Sequence, residues 1–265
     1  MAPKKGAAAA AKARGGGGGG ARGGAKATTA ASKRGAVEAP RTQRKIYHAL
    51  ESSGSGDHFC YYNKFSRKSR FVEGETVYVT EKWDGTTVQA TNTAVFKRLD
   101  QFKKGDPRKH TASEQERYRL EQLDLDSSQN KYIASAVERY RETFARLPSG
   151  VCVYFEAIGS HIGPRFRHLD ETFYDIRVFD FARDGVFLSF DDTIALAGEY
   201  DLPLVHYEEI ENVTVAALVE RLSGARSYHD IEAPLEGFVL RDITDQGRIA
   251  KIRVEDLAKL AEAHY

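Results

Sequence analysis

The sequence predicts an α+β domain built on antiparallel sheets flanked by helices, carried behind a disordered basic arm. Three observations predict it. Short β-branched and aromatic runs interleave with helical stretches, and several of those runs fall in adjacent pairs. The chain has 265 residues, 41% hydrophobic and 11% aromatic, so the roughly 220 residues after the arm can bury a full core as one large or two small domains. Charge is also partitioned. Residues 1–45 hold eleven basic residues and one acidic residue (Glu38), a balance of +10, and the rest holds 28 basic and 37 acidic, a balance of −9. A formal net charge of +1 hides an acidic body behind a basic arm.

Residues 1–45 carry fourteen Ala and ten Gly, including the run Gly15–Gly20, and no Leu, Ile or aromatic residue precedes Ile46. Such a segment buries too little apolar surface to offset its chain entropy. Three roles compete for it: a solvated tail, a cationic arm that neutralises phosphates, and an Arg-rich, acid-poor organelle transit peptide. Val77–Thr80 and Thr87–Ala90 read as strands flanking a Lys-Trp-Asp-Gly turn, and Ala94–Lys97 as a third. Phe102–His110 is a basic loop broken by Gly105 and Pro107. Ser113–Leu123 and Asn130–Leu147 read as helices; in the second, Ile133, Val137, Tyr140 and Phe144 share one face. Strands follow at Val151–Ile158, Asp175–Ala182 and Val186–Ser189, then helices at Asp191–Tyr200 and Val213–Leu222. Strands at Glu236–Arg241 and Ile249–Arg253 and a helix over Glu255–His264 close the chain. The pieces before Phe71 and between Phe102 and Leu147 have no assigned place in the domain.

No apolar run reaches the roughly 20 residues of a membrane span. Cys60 and Cys152 are too few for a disulfide scaffold or a Cys-rich zinc site, and a reducing compartment is expected. Without a hydrophobic signal region, secretion is not expected; nucleus or cytoplasm is favoured over an organelle.

Four short patterns carry chemistry. Lys82-Trp-Asp-Gly85 offers a lysine in a turn, although Lys-x-Asp-Gly arises by chance in roughly one chain of this length in twenty, and an exposed hairpin turn would look the same. Glu156, in Val153–Gly159, shares a strand face with Tyr154 and Ile158, a costly setting for a carboxylate unless something polar meets it or the strand is an edge turned to water. Glu236 heads the apolar strand Leu235–Arg241 next to Gly237. Lys251 and Arg253 stand two apart on one strand face, which calls for an anion between them or for a solvated edge.

The order of these patterns, with Phe179-Asp180 between the second and third, resembles the covalent nucleotidyltransferase superfamily of RNA ligases, DNA ligases and mRNA capping enzymes. Thr80–Thr87 and Phe155–Gly159 are most similar to the ATP-dependent RNA ligase branch, which includes the second type of phage RNA ligase and the kinetoplastid editing ligases. The resemblance covers about residues 75–255 and implies the nucleotidyltransferase (ATP-grasp-like ligase adenylation) fold over residues 46–265. It implies a ligase that joins 5′-phosphate and 3′-hydroxyl RNA ends through a lysyl-AMP intermediate, using ATP and Mg²⁺ or Mn²⁺. Lys82 would be the nucleophile, reactive when uncharged, a state that the cations Lys251 and Arg253 favour while cradling the α-phosphate. Catalytic roles are implied for Lys82, Asp84, Glu236, Lys251 and Arg253, and nucleotide contacts for Glu81, Gly85 and the same strand residues. Glu236 would hold the metal or orient the lysine, and Glu156 would accept the ribose hydroxyl. Phe179 would stack on the base, with Phe181, two residues on and so on the same face, as the fallback. Arg98 would meet the RNA 5′-phosphate. Lys251-Ile-Arg253 stands where the family commonly has Lys-x-Lys, and arginine keeps the charge. The chain ends twelve residues after Arg253, without the accessory domain that relatives carry there, so an accessory protein replacing it is an expected partner of an otherwise monomeric enzyme. The alternatives are an mRNA guanylyltransferase, a DNA ligase stripped of its accessory domain, or an inactive RNA-binding pseudo-ligase.

Overall fold

The computed structural model describes residues 40–42, 46–102, 106–110, 117–225 and 227–260. Fifteen strands follow one another along the chain among these residues: β1 (Tyr47–His48), β2 (Leu50–Ser53), β3 (Cys60–Phe65), β4 (Glu75–Lys82), β5 (Thr86–Ala90), β6 (Val95–Asp100), β7 (Tyr118–Gln122), β8 (Val151–Gly159), β9 (Tyr174–Arg183), β10 (Val186–Phe187), β11 (Tyr207–Val213), β12 (Ser227–Tyr228), β13 (Ile231–Pro234), β14 (Gly237–Asp242) and β15 (Ile249–Arg253). The α-helices are α1 (Lys131–Val137), α2 (Arg141–Ala145), α3 (Phe190–Glu199), α4 (Val215–Gly224) and α5 (Val254–Leu257).

Two sheets carry the fold. One has the order β1-β15-β14-β4-β11 and the other β10-β9-β8-β5-β6-β7. Every neighbouring pair in them is antiparallel except β1–β15. The chain crosses from the first sheet to the second in the three residues between β4 and β5, Trp83, Asp84 and Gly85. Gly85 is required there: a Cβ would lie 2.2 Å from the Ala157 carbonyl oxygen. The turn that begins with Lys82 is therefore the joint between the sheets.

Two cores pack against the sheets, and the first lies between them, since Tyr154, Ile158 and Phe179 of the second sheet join it. Val77, Val79, Leu240 and Ile252 of the first sheet pack with Leu218 and Leu222 of α4. Val88, Phe155, Ile176 and Val178 of the second pack with Ile133, Val137, Tyr140 and Phe144. That second set is the single face read from the sequence, and all four side chains are buried; a 3₁₀ turn at Glu138–Tyr140 divides the helical stretch into α1 and α2. Burying a side chain such as Phe155 contributes about 1.5–3 kcal/mol. The polar tip of Tyr140 is satisfied by donating to Asp175 Oδ1 at 2.6 Å. Helices α3 and α4 start where Ser189 and Thr214 accept N–H bonds from Asp192 (3.0 Å) and Ala217 (3.1 Å).

The structure corrects several expectations. Of the expected helix Ser113–Leu123, residues 113–116 lie outside the described set and Arg117 is helical, but Tyr118–Gln122 is strand β7, paired with β6 in five register steps. Its Glu, Gln, Arg and Leu residues favour helix weakly, and the sheet edge overrides that preference. The closing helix is only Val254–Leu257, and residues 261–265 lie outside the described set. The unplaced piece before Phe71 forms β1, beside β15, and the β2–β3 hairpin. Most of the arm lies outside the described residues. Arg41 does not, and its carbonyl accepts the Tyr154 hydroxyl at 2.9 Å, so the body starts before the predicted boundary at residue 46. Among the described residues no helix is long and apolar enough to cross a membrane.

Candidate active site

A cavity of about 570 Å³ opens at the joint between the sheets. Thr80 and Lys82 face it from β4, Val239 and Arg241 from β14 and Lys251 from β15. Glu156, Phe179, Arg98, Arg117 and Tyr118 face it from the second sheet and its approach. It brings together Lys82, Asp84, Gly85, Arg98, Glu156, Phe179, Glu236 and Lys251, residues scattered over most of the chain.

Lys82 ends β4 and donates from Nζ to Glu236 Oε2 at 2.6 Å. Both side chains are largely shielded, at 23% and 14% exposure, so the pair is far less screened than a surface salt bridge. Lys251 pairs in register with Val239. Burial lowers its pKa, the Lys82 and Arg253 charges lower it further, and Glu236 and Asp256 oppose them. Glu156 sits across the β5–β8 ladder from Thr87, whose hydroxyl donates to its Oε2 at 3.1 Å. Burial pushes the Glu156 carboxyl up to about 7, although the Lys82 charge and the Thr87 bond oppose the rise. The strand carboxylate is thus met by polar partners, not turned to water.

Asp84 is held by its own contacts: Oδ2 accepts from Arg165 Nε at 3.1 Å, and its N–H donates to the Tyr228 hydroxyl at 3.1 Å. Arg98 lies with its guanidinium carbon 4.4 Å from the Tyr118 ring centre, and Arg117 lies 4.9 Å from the same ring. Phe179 lines the cavity.

Three expectations about the site change. Phe181 does not share a face with Phe179. The β8–β9 register slips between Tyr154↔Asp180 and Phe155↔Val178, a bulge that breaks strict alternation. Phe179 consequently joins the core that borders the cavity, while Phe181 is fully buried in the other core. Glu81 is among the residues that line the cavity, but it alternates with Thr80 and Lys82, so its carboxylate points to the opposite face of β4. There Oε1 accepts the His229 N–H at 2.6 Å, and Oε2 is buried without a hydrogen bond. Burial pushes the Glu81 carboxyl up to about 7; the His229 N–H and Arg177 oppose the rise and Asp230 adds to it. Arg253 does not line the cavity. It binds Asp256 Oδ1 at 3.1 Å and also pairs with Glu255. Burial works against its charge, but the Asp256 hydrogen bond and the two carboxylates outweigh it and raise its pKa.

Sequence reading missed Arg241, Arg165, Arg117 and Tyr228. Arg241 stands inside the quoted Leu235–Arg241 strand, and its pairing with Asp180 at 2.8 Å was signalled by the adjacent Phe179-Asp180. The other three follow no spacing that marks them.

The RNA ligase family model matches residues 75–254. The chain belongs to the RNA ligase family. That match spans every cavity residue named above. No curated protein sequence matches the chain. Among solved structures it is similar to the RNA ligase of Naegleria gruberi. An apo mutant of that ligase is 16% identical with a TM-score of 0.51, covering 83% of this chain and 63% of its own. A mutant with ATP and Mn is 14% identical, also at 0.51, covering 82% and 64%. A third, with AMP and Mn, is 14% identical at 0.51, covering 80% and 61%. The RNA ligase family member described here thus spans less than two thirds of those ligases' length, and at such identity the likeness is one of fold.

The donors present fit a nucleotide: a cationic Lys251, a carboxylate at Glu156, an aromatic wall at Phe179 and a buried Arg241 Nε with no hydrogen bond. They do not form a self-sufficient metal cage, since no group of three or more His, Cys, Asp or Glu side chains among the described residues could hold an ion. Glu236 fits a cation that arrives with substrate phosphates, the usual manner of Mg²⁺.

Proposed function

We propose that this protein is an ATP-dependent RNA ligase that joins a 5′-phosphate to a 3′-hydroxyl end through a covalent lysyl-AMP. The observation that carries the reading is the Lys82–Glu236 pair, 2.6 Å apart, aimed into a cavity walled by Lys251, Glu156 and Phe179. The adenine stacks on Phe179, and Glu156 accepts a ribose hydroxyl. Lys251 meets the α-phosphate. The Lys82 amine attacks the α-phosphorus; the N–P bond forms as the P–O bond to pyrophosphate breaks, and the amine proton has a carboxylate acceptor at Glu236. AMP then passes to the RNA 5′-phosphate, and the 3′-hydroxyl displaces it to close the strand. A divalent cation, when bound with the nucleotide, screens the phosphates and draws charge toward the leaving pyrophosphate. The Naegleria ligase structures with ATP and Mn and with AMP and Mn support this nucleotide and ion. Arg98, on the approach, takes the RNA 5′-phosphate. Residues 1–45, at +10, act as a cationic grip on RNA.

The test is incubation with α-labelled ATP, GTP or labelled NAD, with and without magnesium, followed by mapping of the modified residue. ATP-dependent label on Lys82 is the expected result. Label from GTP alone would make the protein a guanylyltransferase. RNA binding without any label would make it a pseudo-ligase.

A further inference from the structure

The β4–β14 ladder runs from Asp242↔Val77 to Gly237↔Lys82 and stops there. One step further the two strands no longer pair, yet this is where the site is built: Trp83 and Asp84 follow on one strand, and Glu236 precedes the other. The phenol of Tyr228, at the end of β12, occupies that gap. Its hydroxyl donates to the Lys82 carbonyl at 3.1 Å and accepts the Asp84 N–H at 3.1 Å and the Glu236 N–H at 3.3 Å. A hydroxyl has one proton and two lone pairs, so these three bonds use all of its capacity. The ring has no freedom either. It is 3% exposed and stacks on Trp83 at 3.8 Å with 8° between planes, and Trp83 stacks in turn on Phe166 at 5.9 Å.

We infer that Tyr228 is a positioning residue for lysine adenylylation, its hydroxyl fixing the backbones of Lys82 and Glu236 so that amine and carboxylate meet in the cavity. The inference rests on the reading of Lys82 as the nucleophile. Tyr228 itself touches neither the Lys82 amine nor the cavity: it is absent from the lining, and its saturated hydroxyl has no site left for substrate. Burial also raises its pKa, so it is a fixed neutral hydroxyl at working pH. It takes over the task of the ladder at the point where ladder hydrogen bonds would prevent the strands from diverging around a nucleotide.

The experiment compares wild type with Tyr228→Phe, which removes one oxygen and keeps the stack. At saturating ATP the rate constant for enzyme–AMP formation is expected to fall at least about tenfold, because small displacements of reacting groups cost one to two orders of magnitude. The KM for ATP is expected to stay within about threefold, because the nucleotide contacts are untouched. Equal rate constants overturn the inference, and so does a raised KM with an unchanged rate constant. Absence of label in the wild type overturns the ligase reading itself; label in the wild type at the rate of the variant overturns the positioning role alone. If the phenylalanine variant does not fold, 4-aminophenylalanine at position 228 replaces it. That side chain keeps a donor for the Lys82 carbonyl and accepts the two N–H groups poorly. A folded amino variant is expected to label about fivefold or more below wild type, and wild-type labelling in it overturns the inference.

Discussion

Lys82 is the residue on which the ligase reading stands, and its replacement is the most direct check. Lys82→Ala and Lys82→Arg should both lose all ATP-derived label, the second because a guanidinium stays protonated and cannot attack; label on either variant would place the nucleophile elsewhere. Glu81, its neighbour, is a matter of stability. Its carboxyl is raised to about 7 by burial, whereas the unfolded chain has it near its ordinary value of 4.5. The folded state therefore holds the proton more tightly, and the sign follows: stability is greatest below about 4.5, falls as pH rises toward about 7, and is flat above. Glu81→Gln keeps an oxygen for the His229 N–H and removes the titration. The variant should melt above wild type at pH 8, by about 1–3 kcal/mol, with the gap closing as pH falls to 5. Melting curves at several pH values check this, and a gap independent of pH would refute it. At this scale the sequence was legible where type and spacing coincide, as at Lys82, Glu156 and Lys251. Glu81 lines the cavity, but alternation beside Lys82 turns its carboxylate to the other face of the strand. Tyr228 was illegible because its role depends on where two strands stop pairing.

Among elements, β9 was read to within a residue at each end, yet its bulge was invisible, since alternation is the only rule a sequence supplies for strand faces. That one irregular step separates the duties of two phenylalanines. Phe181→Ala should cost about 3–5 kcal/mol of stability, as a fully buried ring in the helix-side core does. Phe179→Ala should cost less stability and should weaken ATP binding by about 1–3 kcal/mol, the value of one base–aromatic stack. Calorimetric unfolding and ATP titration of the two variants give opposite rankings if the bulge is placed correctly. β7 was misread for a different reason: four of its five residues, Arg119 to Gln122, are good helix formers, and only its pairing with β6, unknowable locally, makes it a strand that carries Tyr118 to the cavity.

For the whole molecule, charge is the organising quantity. Residues 1–39 hold eight basic residues and Glu38, leaving 31 basic and 37 acidic residues in the remainder. Residues 1–39 hold no Leu, Ile or aromatic residue to contribute to a core, so folding and self-adenylylation should survive their removal. RNA affinity should fall, and its dependence on salt should become shallower, because fewer counterions are released. Equal affinities and equal salt slopes for the two forms would show that the arm does not bind RNA. Cutting after residue 45 is a different experiment. It also removes the Arg41 carbonyl that receives the Tyr154 hydroxyl, and a loss of about 0.5–1.5 kcal/mol in stability is expected from that one hydrogen bond. Where the body begins was not legible in composition, because it depends on a hydrogen bond to the carbonyl of Arg41, a residue that composition assigns to the arm.

The strand order β1-β15-β14-β4-β11 also has a consequence in time. That sheet recruits strands from residues 47 to 253, and its parallel edge joins Tyr47 to Ala250. The other sheet draws only on strands between residues 86 and 187 and is rich in hairpins of near neighbours. Closing the longer loops is slower, so on refolding the amides of β8 and β9 should become protected from exchange before those of β15. Lys251 rides on β15. Competence to take up AMP should then appear with the late amides, and a chain stalled between the two events would hold Glu156 and Phe179 in place and still be chemically silent.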